Sequence, residues 1–491
     1  MKIVVARYEA VPNTIGQSSI TRLKKACHPE PVEGLSAEAL HTMLRRAQHD
    51  SLPEFSNISS CSISTDFHIR NNVWLSKVIL LFLLTFLTLR SFAQTPYDNT
   101  VYNTAIKSVE FYNTRKQGDF PVINLGTDEK VLLAFDDLRG GSRTYNYTIE
   151  HCDTRWNSSN LSPAEYLQSF QDDRLYTYTY STGTMQKYTH YEQLVPNNNI
   201  APKISGNYIL KVYENGDQNK LVLTRRLYVL GKRVNIAANT IASPNTQLRK
   251  TNQKLNFTVD YGSLPVQNPS ANVRTFVMQN ARTETGILNT QPTNIKGSVL
   301  VFNDVSINDF PGRNEFRLFD TRTLKLNSQR VARIFKDTGN VVVLLADPVR
   351  DNPNYVLYYD NNGKFFPLNS DGVDPRTDAD YTHTYFTLAA NRPETSGSPY
   401  IVGRFNDYKL DEHSELTIGD DGKYHIELLL KQGVYDYEYV WVDAQTHKAD
   451  DVPMEGSHFE TENDYQLLVY YRPPTARWDE LVGFAELNTV K

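Results

Sequence analysis

The feature that most constrains this fold is the regular alternation of aromatic or apolar residues with polar ones, which recurs from Gln94 onward. Tyr145, Tyr147 and Ile149 occupy every second position of one segment, and residues 176–180 alternate Tyr with Thr. Residues two apart lie on the same face of a β-strand. Helical spacing, with apolar residues three or four apart, is almost absent from this part of the chain. The pattern therefore predicts strands.

Short turn signals separate the alternating segments, as at Asn215-Gly216, Asn362-Gly363 and Asp421-Gly422. Such pairs supply the positive φ that tight hairpins need. The chain also contains 30 Tyr and 22 Phe, and aromatic side chains fit the pleated, half-buried surface of a sheet. Many short strands joined by short turns predict an all-β protein made of tandem Ig-like or fibronectin-like β-sandwich domains.

The overall charge argues against one class of partner. The sequence has 51 Lys and Arg against 56 Asp and Glu, a net charge of −5. Phosphate backbones are bound by clustered positive charge, so no nucleic acid is expected as a partner. The apolar fraction of 40% is typical of a folded globular chain.

A short apolar run near the N-terminus is typical of a cleaved signal peptide. Residues 78–89 are apolar apart from two Thr, and Lys77 precedes them. Twelve residues are too few to cross a bilayer as a helix, which takes about 20. Ser91 and Ala93 fit a signal-peptidase site. We therefore expect a signal peptide over 73–93, cleavage after Ala93, and export to the periplasm without a transmembrane segment in the mature chain.

Residues 1–72 do not fit that interpretation, because a signal peptide begins close to its initiator. The segment 28–34, followed by 45–50, resembles translated intergenic repeat DNA. We predict that 1–72 is spurious upstream translation and that the true start is a non-AUG codon, at Val73 or Leu75. The alternative is a genuine cytoplasmic extension.

Three sandwich units are predicted after the signal peptide: 94–232, 233–340 and 341–491. The first closes with the apolar segment 227–230, and the third begins with the apolar run 341–345. Only Cys152 remains after residue 93, so no intrachain disulfide can form there. A lone Cys of this kind is expected to be buried and inert.

No enzyme motif is present, and we predict a protein without catalytic residues, cofactor or metal. The cluster His151-Cys152-Asp153 lies in a predicted strand, where neighbours point to opposite faces. Cys152 and His151 are therefore poorly placed as nucleophile and base. The loop 371–380 carries four Asp residues, but their spacing fits no EF-hand. An acidic turn in solvent is favoured over a calcium loop.

The third unit resembles the Ig-like module of starch- and glycogen-binding domains, through residues 399–408, 422–428 and 433–443. Those modules stack a sugar on exposed aromatic rings. Tyr408 stands at the first stacking position, whereas the segment after Asp443 lacks the second aromatic residue. Trp441 is expected in the core. A periplasmic or surface carbohydrate-binding module is therefore the alternative function.

Seven short stretches, spread over most of the chain after the signal peptide, resemble the plug protein family of the bacterial type IX secretion system. They are residues 145–156, 188–191, 196–198, 205–208, 461–465, 469–472 and 477–483. Within the last stretch, Trp478 stands where the family more often has Tyr. A Tyr-Pro-Asn-Pro-like segment, typical of cargo of the same system, does not occur near the end.

The resemblance implies a periplasmic, non-enzymatic protein, peripheral to the outer membrane and monomeric when free. It would bind the outer-membrane translocon barrel and seal the pore from the periplasmic side. Exposed aromatic residues in loops suit such a contact. We expect Trp478 first and Trp156 second as partner-binding residues, and Tyr408 as a third candidate.

Overall fold

The computed structural model describes residues 97–262, 264–390 and 396–490. These residues lie in one compact unit, Ala93–Lys491. The predicted upstream segment 1–72, the signal peptide over 73–93 and its cleavage site lie outside the described residues. Almost all regular structure is β, in several separate sheets. The predicted class of tandem β-sandwiches is confirmed.

The first sandwich pairs two sheets, with strand orders β1-β10-β9-β5-β6 and β2-β4-β8-β7. A short strand, β3, runs parallel to β10. Its strands are β1 (Thr100–Val101), β2 (Ile106–Asn113), β3 (Val122–Asn124), β4 (Val131–Asp137), β5 (Tyr145–Cys152), β6 (Asp173–Arg174), β7 (Thr177–Tyr180), β8 (Thr189–Val195), β9 (Gly206–Glu214) and β10 (Leu221–Leu230). The alternating residues Tyr145, Tyr147 and Ile149 of β5 are fully buried in its core.

The second sandwich pairs the order β11-β12-β16-β15, with β17 beside β12, and the order β14-β13-β29-β30. Its strands from the middle of the chain are β11 (Asn235–Ala242), β12 (Asn252–Asp260), β13 (Val273–Gln279), β14 (Arg282–Asn289), β15 (Asn294–Lys296), β16 (Val299–Phe302) and β17 (Asp309–Pro311).

The third sandwich pairs a sheet around β27 (β18-β27-β22, with β24 and β28 also on β27) and the order β19-β20-β23-β26-β25, with β21 on β23. Its strands are β18 (Arg317–Asp320), β19 (Val331–Lys336), β20 (Asn340–Leu344), β21 (Asp347–Pro348), β22 (Phe365–Pro367), β23 (Tyr381–Ala389), β24 (Gly397–Val402), β25 (Thr417–Ile418), β26 (Tyr424–Lys431), β27 (Gly433–Asp443) and β28 (Ala449–Asp450). Tyr435, Tyr437, Tyr439 and Trp441 of β27 all point into its core.

The last two strands, β29 (Asp464–Tyr471) and β30 (Glu480–Asn488), return to the second sandwich. β29 pairs with β13 along its whole length. The structure thus differs from a contiguous third unit over 341–491. In addition, β18 and β19 lie in the third sandwich, although the predicted boundary was at 340. Non-local pairing of this kind leaves no local signal, because each strand alternates in the same way wherever it pairs.

Helical structure in the described residues is limited to single turns. These are α1 (Pro163–Tyr166), α2 (Pro269–Asn272), α3 (Val452–Glu455) and a 3₁₀ turn at Arg404–Asn406. None of the helices in the described part of the chain is long and apolar enough to cross a membrane.

The first and second sandwiches share a fourth hydrophobic cluster. It joins the outer face of β9 and β10 to residues of β13, β29 and β30. Ile209 and Tyr228 from the first sandwich meet Met278, Leu468 and Tyr470 from the second. Burial of this apolar surface stabilises the contact by roughly 25 cal/mol per Å², so the two sandwiches pack as one body.

Candidate partner-binding surfaces and the interdomain lock

A buried charged cluster, which we call the interdomain lock, joins the first sandwich to the third. It consists of Asp136 on β4, His190 on β8, Tyr381 on β23 and Lys431 at the end of β26. Asp136 Oδ1 lies 2.6 Å from His190 Nδ1, while Asp136 Oδ2 accepts from Tyr381 Oη and Lys431 Nζ, each at 2.7 Å. All four side chains are at least nine-tenths buried. The carboxylate therefore holds groups from both sandwiches.

The charges within the lock stabilise one another. Burial alone would raise the pKa of Asp136, but the Lys431 ammonium and the His190 ring hold that pKa below its ordinary value. Burial lowers the pKa of His190, and its bonds to Asp136 and Glu192 outweigh that effect and raise the pKa. The buried Asp136 carboxyl therefore keeps its negative charge at neutral pH.

A second set of ion pairs joins the second sandwich to the third. Arg282 at the start of β14 pairs with Glu438 on β27. Arg313, which follows β17, pairs with Asp451. Arg282 and Glu438 are both buried, and buried pairs of this kind are costly to break. Each sandwich is thus tied to both others.

The structure places the three predicted partner-binding aromatics in different environments. Trp156 is only 6% exposed and lies in the cluster between the first two sandwiches, with Arg226 Cζ 4.6 Å from its ring centre. The expectation that Trp156 is an exposed loop aromatic is wrong, because its ring packs against Tyr228 and Arg226 of β10. Trp478 is half-buried against the core of the first sandwich.

Tyr408 is also covered on one side. The guanidinium carbon of Arg282 lies 4.3 Å from its ring centre, and its hydroxyl donates to Gly363 O at 3.4 Å. A sugar would need a free ring face, and Arg282 occupies one of the two. Trp441, expected in the core, is 3% exposed and packs there.

Exposed aromatic side chains collect instead at one end of the first sandwich. We call this surface the aromatic edge; its members are Tyr176, Tyr178 and Tyr180, exposed by 69, 40 and 52%. β7 carries the last two and is the end strand of its sheet. All four residues of β7 are exposed.

The aromatic edge is ordered by ring contacts. The Tyr178 ring lies 5.6 Å from that of the buried Tyr191 and 5.8 Å from that of Tyr180. Open end strands of this kind are usually blunted by charge or Pro, and β7 (TYTY) has neither. The alternation over 176–180 was visible in the sequence. The sequence did not show that both faces of β7 are exposed, because alternating Tyr and Thr are equally compatible with a strand whose Tyr face is buried.

The remaining candidate groups are each engaged by the protein itself. His151 Nδ1 lies 2.8 Å from Ser159 Oγ, whereas Cys152 points into the cluster between the sandwiches, and burial raises the pKa of its thiol. In loop 371–380, Asp378 accepts from the backbone of Val373 and Asp374. No group of three or more His, Cys, Asp or Glu within the described residues is arranged to hold a metal ion.

These features define a rigid, multidomain all-β sandwich protein with an exposed aromatic edge. A solved structure of a hypothetical protein from Parabacteroides merdae ATCC 43184 is similar to this chain, with 31% identity and a TM-score of 0.77. The match covers 81% of this chain and 100% of that one. Residues 106–231 match the family described as the type 9 secretion system plug protein 1st domain. Comparison with curated proteins finds no significant match. The chain belongs to the type IX secretion system plug protein family.

Proposed function

We propose that this protein binds the outer-membrane translocon barrel of the type IX secretion system and seals its pore from the periplasmic side. The observation that carries the proposal is the match of residues 106–231 to the first domain of the plug family. Export to the periplasm through the signal peptide over 73–93, with the mature chain beginning at Gln94, is part of the same proposal.

The way the sandwiches are joined supports a sealing role. A seal must resist deformation by the barrel and by the solutes behind it. The interdomain lock, the Arg282–Glu438 pair and the shared hydrophobic cluster tie three sandwiches into one body. Packed interiors transmit strain and compress little, so this body can act as a stopper without internal hinging.

The aromatic edge supports a contact with a protein partner. Tyr offers a large contact area with few rotatable bonds, which lowers the entropic cost of binding. Its hydroxyl keeps such a surface compatible with water when the partner is absent. We therefore propose the aromatic edge as the principal contact, with Trp478 as a further contact residue.

Retention of the translocon barrel from outer-membrane extracts tests the contact. Tyr178→Ser together with Tyr180→Ser should lower the amount of barrel retained by tagged protein at least about tenfold, since central interface aromatics typically contribute 2 kcal/mol or more. Lys423→Ala, in a β-turn of the third sandwich, is the control. Undiminished retention by a normally melting Tyr variant would remove the aromatic edge from the interface. Trp478→Ala is examined in the same way.

Membrane permeability tests the seal. A strain lacking this protein should take up large antibiotics that the intact outer membrane excludes, because an open barrel passes solutes. Restoring the gene should reverse the effect. A deletion strain with unchanged permeability would contradict the sealing role and bring the carbohydrate-binding alternative forward, for which binding of the purified protein to glycogen is the direct assay.

A further inference from the structure

Two adjoining cavities, of about 330 and 540 Å³, lie where β2 of the first sandwich faces β26 and segment 404–410 of the third. We call them together the interdomain groove. They adjoin each other, since the same five residues line both: Val109, Arg225, Phe365, Asp407 and Lys409. The groove is separate from the aromatic edge, which is at the other end of the sheet that carries β2.

The walls of the groove are strand edges rather than strand faces. Residues 106–109 line the larger cavity and 109–112 the smaller one, without a gap in the sequence. On the opposite wall, residues 426–430 line the larger cavity, also without a gap. Successive side chains of a strand point to opposite faces. A cavity that touches all of them must therefore meet the backbone edge.

Both edges lack a strand neighbour in the described chain. β2 is the end strand in the order β2-β4-β8-β7. β26 has β23 on one side, while on the other the short β25 pairs only with Tyr424 and His425. The backbone groups of residues 426–430 that point away from β23 thus lack a strand partner along a length of about 17 Å, at roughly 3.4 Å per residue.

The lining is apolar along its length, acidic in the larger cavity and mostly cationic in the smaller one. The larger cavity is lined by five carboxylates against three cationic residues: Asp407, Asp411, Glu412, Glu415 and Glu427 against Lys107, Arg225 and Lys409. Apolar contacts come from Ile106, Val109, Phe365, Phe405, Ile426, Leu428, Leu430 and Tyr435. The smaller cavity is lined by six cationic residues (Arg225, Arg226, Arg282, Lys364, Arg404 and Lys409) against the four carboxylates of Asp98, Glu110, Glu284 and Asp407. Arg404 Nη1 donates to Gly118 O at 2.9 Å, and no carboxylate pairs with Arg404 among the described residues.

We propose that the interdomain groove binds an extended segment of the translocon barrel protein, which adds as a strand to the free edge of β26. Alternate apolar side chains of the segment would pack on Phe405 and Leu428, and a carboxylate would pair with Arg404. Strand addition of this kind draws affinity from main-chain hydrogen bonds and specificity from alternate side-chain pockets. This inference rests on the proposed function.

The shape of the groove favours a single extended segment over a second copy of this protein. The side chains of residues 426, 428, 429 and 430 are half-buried within it, so the edge is recessed between two sandwiches. The sheets of a folded sandwich are about 10 Å apart, which makes a whole sandwich edge too thick to enter. Arg404, which has no carboxylate partner among the described residues, favours a segment that carries a negative charge at that end of the groove.

Backbone hydrogen exchange tests the site directly. The mature chain, 94–491, is compared alone and in complex with the purified barrel. The amides of 426–430 should exchange about tenfold or more slowly in the complex, because strand pairing protects them. Those of β15, an exposed end strand of the second sandwich, should not change. If the barrel binds while residues 426–430 stay unprotected, the groove proposal is overturned and the plug function stands. If the barrel does not bind at all, both fail.

Variants and cross-linking identify the occupant. Leu428→Lys should weaken barrel binding about tenfold in a protein that melts normally. The matched control is Ile334→Lys on β19, since Ile334 is likewise half-buried against the same core. Arg404→Gln should reduce the salt dependence of binding, since an exposed charge pair is screened by salt; unchanged salt dependence would count against the carboxylate contact. A photoreactive benzoylphenylalanine at position 428 should cross-link to one stretch of the barrel protein. Cross-links only to a second copy, or only within the same chain, would overturn the proposal.

Discussion

At the scale of single residues, the interdomain lock shows how much depends on one buried carboxylate. Asp136 accepts from His190, Tyr381 and Lys431, and the last two belong to another sandwich. An isolated buried charge is strongly disfavoured, whereas a paired and hydrogen-bonded one is tolerated. The lock thus makes the correct docking of the first and third sandwiches a condition of burying Asp136.

Replacing Lys431 with Met should therefore destabilise the protein by about 3 kcal/mol, because Asp136 keeps its charge without the ammonium. The double variant Lys431→Met with Asp136→Asn should recover part of that loss. Chemical unfolding followed by fluorescence measures both. Lys325→Met, whose side chain is 73% exposed, is the control. Equal effects of the two single Lys variants would show that the lock contributes nothing.

His151 makes the stability of the protein depend on pH between 6.5 and about 4. Burial lowers the pKa of His151 from 6.5 to about 4, and the bond to Ser205 O offsets this only in part. Between these values the unfolded chain binds more protons than the folded chain, so stability falls as the pH falls from 6.5 towards 4. In His151→Gln the decline of the melting temperature across this window should be shallower. A parallel decline in both proteins would contradict this assignment.

At the scale of elements, strand position decides what a sequence pattern means. β5 and the segment containing β7 have similar alternation, yet Tyr145 and Tyr147 of β5 are fully buried and Tyr178 and Tyr180 of β7 are exposed. β5 lies inside its sheet, between β9 and the short β6, whereas β7 is at the end of the other sheet. The sequence pattern determines which side chains of a strand share a face, whereas the neighbouring strands and sheets decide whether that face is covered.

The C-terminal strands provide a test at this scale. β29 and β30 contribute Tyr465, Leu467, Val469 and Val482 to the core of the second sandwich. A chain ending at residue 460 should therefore lose cooperative folding of that sandwich and become sensitive to protease over 233–315. Removing only Val490 and Lys491 should have little effect. A protease-resistant second sandwich in the shorter chain would show that β29 and β30 are dispensable.

At the scale of the whole molecule, the described residues form a body held by apolar packing and internal ion pairs. Three sandwich cores and one shared cluster account for the buried apolar side chains. Cys152 is free and buried. Rigidity of the described residues then comes from packing across three interfaces.

Chelator and reductant should accordingly leave the melting temperature of the mature protein unchanged. A metal bound only to the folded state would stabilise it by mass action, and removing that metal would lower the melting temperature. A decrease of more than a few degrees with chelator would point to the loop 371–380 as a calcium site. Adding calcium back, and testing Asp378→Asn, would then identify the ligands.

The sequence by itself determined the all-β class, the strands and the family. Alternation is a local property, because the two faces of a strand follow from its own backbone geometry. The seven stretches that resemble the plug family could likewise be found without a structure. Each of these features depends on residues close together in the chain.

Only the tertiary structure decided which edges are free, which aromatics are covered and which sandwich the last strands join. Trp156 is buried against Tyr228 and Arg226, which lie about 70 residues further along the chain. The interdomain groove exists because β2 and β26, some 300 residues apart in sequence, face each other. Strand pairing and domain docking join distant segments through backbone groups common to every residue, so the local pattern does not encode them.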